Sequence, residues 1–424
     1  MLENKKISFF SAVLINVNIV IGSAFFLGAP DISQKAGFAA PFAWIACAAL
    51  LLPLVMIFSK FASKYPTAGG IFVYSENELG HFWGYLAAWL YFVGTTAGNA
   101  MVLRSFATYL YQLGWVQQPL MAIGFSQLAL EVILVIFFGW LSLRNVQIFE
   151  RAQVFFSGLK MIPFAVLIIG AVMLFSPTEF VGATAFTPAS MLGVMSTVLF
   201  AYIGIEACSA IIDKINDSKN QGFRVILTSF ALIAVIYAVA QLLIVGIQGQ
   251  STDNPFLAIL PKILSNQALV GVGNQIIYTA ILFSFLGGFY GMFYVNSWNL
   301  FAMAQQRSIA GYSLWQRLNA QQAPWASVAL QTAMLLIMLI AARSSSLLIV
   351  MGDLGVLLAY SLTTIAFMRL RPSLLGGAGV VAVGVLGAFL LQEVLSLGVM
   401  ATLPFWVMFV IGLLIYRRST ISSH

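Results

Sequence analysis

The sequence predicts an all-α polytopic membrane protein with twelve transmembrane helices, and three observations predict it. Of 424 residues, 61% are hydrophobic and only 8% are charged, with a mean hydropathy of +0.97. Soluble domains carry about 25% charged residues, so this chain cannot clothe itself in a polar surface. Apolar runs long enough to cross a bilayer, about 20 residues at helical rise, recur at twelve places. Short polar, turn-forming segments separate them.

In order, the runs are 7–30, 41–61, 82–111, 121–143, 152–175, 191–212, 225–247, 275–304, 325–341, 347–368, 379–397 and 401–416. The first is interrupted near its middle by Ile21-Gly22-Ser23-Ala24-Phe25-Phe26. The second ends in Tyr65-Pro66-Thr67-Ala68-Gly69-Gly70, a string of turn formers. The sixth carries Phe200-Ala201-Tyr202-Ile203-Gly204-Ile205-Glu206 in a position comparable with the first interruption, and Asn216-Asp217-Ser218-Lys219-Asn220 follows it. Ser251-Thr252-Asp253-Asn254-Pro255 separates the seventh from the eighth. None of the runs alternates with the period of a barrel strand, so the spans are helical. The two interrupted spans stand five apart. That separation is expected if spans 1–5 (about 7–175) and 6–10 (about 191–368) are inverted repeats, with spans 11 and 12 (about 379–416) peripheral. Residues 1–424 then form a single domain. The first apolar run is too long for a cleaved signal and lacks a small-residue cleavage site.

The net charge of +7 reports topology. With the N-terminus inside, fifteen of the 20 Lys and Arg fall on the inner side and only Lys35, Lys262 and Arg343 on the outer, leaving Arg104 and Lys160 within spans. Such an excess marks the cytoplasmic face, places both termini there, and gives no ground for a nucleic-acid partner. The partners expected are the lipid bilayer and a small molecule. Cys47 and Cys208 both lie in apolar runs and read as small core residues. Compact loops suggest a bacterial inner membrane.

Paired breaks in membrane helices expose backbone amides and carbonyls to a site near the midplane. Free amides attract a carboxylate, and free carbonyls attract an ammonium. The simpler reading is that each glycine serves close packing. Four motifs argue for more. They are Gly22-Ser23-Ala24-Phe25-Phe26, the loop from Pro66-Thr67-Ala68-Gly69-Gly70 to Ile71-Phe72-Val73-Tyr74, the segment Phe200–Glu206, and Asn299-Leu300-Phe301-Ala302-Met303-Ala304-Gln305-Gln306-Arg307 followed by Ala323-Pro324. In that order they resemble the amino acid–polyamine–organocation superfamily, whose members share a twelve-helix fold of two inverted five-helix repeats. The resemblance runs along almost the whole length. One departure is Ala24, which stands where the family usually has a second glycine.

The resemblance implies a site. The substrate carboxylate would meet the amides of Ser23 and Ala24 beside Gly22, and its ammonium the carbonyls of Val20, Ile21, Phe200, Ala201 and Ile203. Span 3 would add Gly94, Asn99 and Val102, and span 8 Met292 and Asn296, with Phe200 and Tyr202 as aromatic lids. Lys160 resembles the span 5 lysine of proton-coupled members, where the ammonium takes the place of sodium, and the alternative is a static structural cation. Glu206 matches the family's glutamate, either carrying a proton or holding the break open. Among other charged residues, Arg104 near a span end is expected to snorkel, and Asp353 and Glu393 to be solvated or capping. Glu131 lies mid-span.

The function expected is secondary active transport of amino acids, by proton-coupled symport or exchange, with a polyamine or decarboxylated-amine exchanger as the alternative. No cofactor or metal is expected, and the oligomeric state is left as monomer or homodimer. An intramembrane enzyme would need a nucleophile–base pair or metal ligands, and the only histidines are His81 and His424. No phosphate loop is present for ATP, and nothing resembles a repeated channel filter.

Overall fold

The computed structural model describes residues 6–180, 191, 193–249, 251, 254–342 and 344–416. Thr252, Asp253, Arg343 and His424, named above, lie outside them, as do Lys5, Arg417 and Arg418 among the inner-side cations and Leu192 of the sixth run. The main helices are α1 (Phe9–Val20), α2 (Ser23–Ala36), α3 (Ala40–Lys64), α4 (Ile71–Leu79), α5 (His81–Tyr111), α6 (Gln127–Ser142), α7 (Val146–Leu174), α8 (Met195–Ala201), α9 (Ser218–Gln248), α10 (Gln267–Gln305), α11 (Trp325–Ala341), α12 (Ser345–Leu370), α13 (Leu374–Leu397) and α14 (Leu403–Ile415). Among the described residues, seven helical segments are long and apolar enough to cross a membrane, or eight if the pair 116–122 and 127–142, bent by 100°, is one span. The shorter helices α1, α11 and α14 are also apolar. The protein is an all-α, multi-pass membrane protein.

Local chemistry sets the helix ends. The side chains of Ser8, Asn145, Asn266, Ser344 and Ser373 each accept a hydrogen bond from a first-turn amide of the helix that follows, satisfying donors the helix itself leaves free. Two helices run past their apolar stretches for this reason. α7 begins at Val146 rather than 152, and α10 spans 39 residues from Gln267. At about 1.5 Å per residue, α10 is far longer than a bilayer is thick, so it must tilt or project.

The sixth run departs furthest from a simple span. α8 holds only seven residues, a turn follows at Tyr202–Glu206, and Ala207–Lys214 is a tight 3-10 helix. Gly204 sits at φ +98° in this turn, where a Cβ would lie 2.9 Å from the Met292 methyl and 3.3 Å from Ile19. Only glycine takes that backbone conformation at no cost while leaving such room. The first run breaks at Ile21 and Gly22, both extended rather than helical.

Around the breaks pack α5, α10 and α12, whose central residues are almost wholly buried. α5 and α12 touch backbone to backbone: a Cβ on Gly355 would lie 2.5 Å from the Leu90 carbonyl, and one on Gly94 2.8 Å from the Gly352 carbonyl. Small residues allow this approach in a bilayer, where dispersion and packing rather than water exclusion join helices. α13 and α14 instead expose large apolar side chains, among them Leu374, Val381, Leu391, Leu395 and Leu414, a surface suited to lipid.

Candidate functional site

The two breaks meet. A cavity of about 70 Å³ lies between them, lined by Val20, Gly22, Ser23 and Ala24 from the first, Phe200 and Ile203 from the second, Gly94, Gly98, Asn99 and Val102 from α5, and Met292 from α10. Among the described residues, no charged side chain lines it. A Cβ on Gly22 or Gly98 would meet nothing within 4 Å. Among the described residues lining it, two polar atoms are buried without a hydrogen-bond partner: the Ser23 hydroxyl oxygen and the Asn99 side-chain nitrogen. Buried polar groups normally find partners, so these are groups left for a ligand. Ser23 and Ala24 open α2, and the first amides of a helix have no partner within it. The cavity therefore presents donors at a positive helix end.

Four residues expected at the site stand apart from this lining. Tyr202 is buried but turned away, its hydroxyl donating to the Trp44 carbonyl at 3.2 Å. The Asn296 amide donates to Phe92 carbonyl (3.2 Å), Thr96 hydroxyl (3.2 Å) and Gln331 amide oxygen (3.1 Å), tying α10 to α5 and α11. The carbonyls of Ala201 and Val20 face the Tyr237 hydroxyl at 3.0 and 3.1 Å. Ile21 carbonyl accepts from Lys160 and, at 3.4 Å, from Ser284. Three carbonyls expected to hold a substrate ammonium thus have protein donors in this structure. Tyr237 of α9 was not legible as a site residue, because its partners are 217 and 36 residues away.

Lys160 is fully buried. Its ammonium donates to the Asn18 carbonyl at 2.8 Å and to the Ile21 carbonyl, at the C-terminal end of α1, where the helix dipole favours a cation. Asn18 in turn donates to Gln153 at 2.6 Å, and Gln153 to the Gly287 carbonyl at 3.2 Å. One chain of hydrogen bonds therefore joins α7, the first break and α10. Because α7 starts at Val146, the lysine stands further along its helix than the apolar run suggested.

Glu206, also buried, accepts from Tyr91 of α5 at 2.5 Å and from Tyr360 of α12. Asn16 of α1 donates to the Ile205 carbonyl at 2.7 Å and to Ser229 at 2.8 Å, and accepts from the Cys208 amide at 3.3 Å. Both side chains pin the second break to its neighbours.

Two charged residues outside the site, Arg104 and Asp353, are placed differently from expectation, and a third, Glu131, is paired. Arg104 does not snorkel. It donates to the Ala342 and Leu339 carbonyls at 2.6 and 2.5 Å, capping α11, and lies 3.7 Å from Glu131. Its guanidinium fork reaches carbonyls at the helix end, which have no partner within the helix. Glu131 is held by that arginine and by Gln127 at 3.1 Å. Asp353 is neither solvated nor a cap but is only 8% exposed, because α12 turns it against α13.

A model of the amino acid permease family matches residues 7–420. The chain belongs to that family. The permease is 23% identical over 385 residues to the aspartate-proton symporter of Bacillus subtilis, an alignment covering 87% of this chain and 73% of the symporter. It is 22% identical over 404 residues to an arginine/ornithine antiporter of Lactococcus lactis, covering 85% and 79%. The L-asparagine permease of Escherichia coli matches at 22% over 391 residues, covering 86% and 75%. The permease is a transporter of amino acids and not an enzyme.

Proposed function

We propose that the permease carries small neutral amino acids by alternating access at the two breaks, in proton-coupled symport or in exchange. The observation that carries this reading is the uncharged cavity shared by both breaks, with its two unpartnered polar atoms. Its size, about 70 Å³, is about five times the minimum for one water, which suits a substrate of few side-chain atoms. A cationic amino acid or a polyamine would meet no carboxylate there, and an acidic one no cation. The relatives named for aspartate, arginine or ornithine therefore do not set the substrate here.

In this reading the carboxylate docks on the Ser23 and Ala24 amides with the Ser23 hydroxyl, and Asn99 donates from α5. The ammonium displaces Tyr237 or meets the remaining carbonyls of the second break. Lys160 carries the coupling proton: charged, it grips Asn18 and Ile21, and neutral, it releases the end of α1. Glu206 keeps the second break in register between Tyr91 and Tyr360. The helices are read as twelve spans, 1–5 and 6–10 as inverted repeats in a single domain, with both termini cytoplasmic in a bacterial inner membrane.

The test is counterflow in proteoliposomes loaded with unlabelled amino acid. Glycine, alanine and serine are expected to drive accumulation of label, and their decarboxylated or deaminated analogues to fail. Equal competition by decarboxylated analogues would remove the carboxylate contact and turn the reading toward an amine exchanger.

A further inference from the structure

A second, smaller cavity adjoins the first. It holds about 30 Å³, room for about two waters, and it shares the walls Ile203 and Val356 with the larger one. Two carboxyl groups line it, Asp353 from α12 and Glu393 from α13. Asp353 is 92% buried, being 8% exposed, and its Oδ1 has no hydrogen-bond partner. The other titratable groups facing the cavity are Tyr360 of α12 and Tyr202 of the second break. Their hydroxyl protons are committed elsewhere, to Glu206 and to the Trp44 carbonyl. α3 and α8 contribute Leu51 and Leu199, and among the described residues no Lys, Arg or His lines the space. Arg104 of α5 is directed away, onto the end of α11.

Two carboxylates without a cation, in a space walled by leucine, isoleucine and phenylalanine, would repel one another and lack water to solvate them. Binding one positive charge relieves both costs. A hard metal ion wants six or more oxygens, and the two carboxyls offer four, the Tyr360 and Tyr202 hydroxyls being committed elsewhere. A proton needs only the pair.

We propose that Asp353 and Glu393, which face one apolar cavity, are a second proton-binding site, in which the pair holds one proton. This rests on the reading of the chain as an amino acid carrier. Tyr202, Ile203 and Ile205 of the second break form one wall of the acidic cavity. Movement of the break therefore remakes the proton site and the substrate cavity together. Proton occupancy and substrate affinity are then linked, each altering the other by the same factor. Lys160 acts on the first break and the carboxyl pair on the second.

Infrared difference spectra between acid and alkaline pH test the pair without reference to transport. The full-length protein is expected to show a protonated-carboxyl band that loses intensity in both Asp353→Asn and Glu393→Gln but not in Lys160→Ala. If neither carboxamide variant loses intensity, the proposal is wrong. A hydrophobic carbodiimide, which reacts with protonated carboxyls, is expected to label wild type at Asp353 or Glu393. The rate should fall about tenfold per pH unit once the pair's proton is mostly lost. Absence of label at both positions overturns the site even where the variants fail to fold. Sodium that slows labelling at constant pH makes it a metal-cation site and overturns the proton. In proteoliposomes, Asp353→Asn is expected to flatten the dependence of uptake on external pH while exchange at fixed pH persists. An unchanged dependence, with the band lost, overturns the linkage. Wild type without any amino acid uptake would defeat the carrier reading and leave the spectra to decide the pair.

Discussion

Gly98 is where residue chemistry and function separate most cleanly. It lies within α5, and a Cβ there would enter open space between the breaks. Gly98→Ala should stabilise the helix by up to about 1 kcal/mol while weakening substrate binding, because the methyl occupies ligand volume. Thermal melts alongside binding titrations check it, and a variant that binds normally would move the substrate elsewhere. Ser23→Leu should abolish binding by covering the α2 amides. Lys160→Ala leaves the Asn18 carbonyl without its donor, at about 1–3 kcal/mol for a buried group left unsatisfied, and the Ile21 carbonyl with only the long bond from Ser284. If folded, it should exchange amino acids with a weakened pH dependence, the part that remains belonging to the carboxyl pair. Lys160→Arg should fold and fail to cycle, since guanidinium keeps its proton. Uptake across a pH series decides between coupling and a fixed tether: unaltered pH dependence in Lys160→Ala favours the tether.

At the scale of elements, the breaks are held by side chains from helices remote in sequence. Tyr237 joins both breaks through one hydroxyl, stacked on Phe25 at 4.8 Å between ring centres. Tyr237→Phe keeps the stacking and removes the link, so a loss of about 0.5–1.5 kcal/mol is expected, with a shift in apparent substrate affinity as the carbonyls come free. An unchanged affinity would mean that those carbonyls do not meet the ammonium. The α5–α12 seam is less forgiving. Gly355→Ala would press a methyl 2.5 Å from the Leu90 carbonyl, and backbone on both sides cannot yield, so about 1–3 kcal/mol of destabilisation is expected from overpacking. A melting temperature equal to wild type would show that the helices part easily.

For the whole molecule, the structure is sealed on the side of its N-terminus. Ile7 exchanges backbone hydrogen bonds with Lys214 and Asn216 at 2.8 and 2.9 Å. The loop before α4 packs on the segment after the second break, with Gly69 amide 3.2 Å from the Ala210 carbonyl. Cys208, fully buried beneath this seal, is a natural reporter. In a Cys47→Ala background, alkylation of Cys208 by a polar maleimide should be slow. It should speed up in Ile7→Pro, which lacks the amide that bonds Lys214. Equal rates would mean that the seal is not what covers Cys208.

Composition and run length were enough to read a helical membrane protein, and the glycines with their flanking motifs were enough to read two breaks, while the proposed lining came from the family resemblance. These are local properties: hydropathy over about 20 residues and backbone freedom at single glycines such as Gly204. Lys160 was also legible, because a charged side chain in an apolar helix needs a reason, while Ser23 and Asn99 came with the resemblance. What joins distant segments was not. Tyr237, Asn16 and Gln153 look like ordinary helix residues until packing brings them to carbonyls and amides more than 100 residues away. Arg104 and Asp353 were misjudged for the same reason: depth along a helix is written in the sequence, but the neighbour a side chain faces is not. Only the tertiary structure decided which backbone carbonyls already have donors, and so which remain for a ligand.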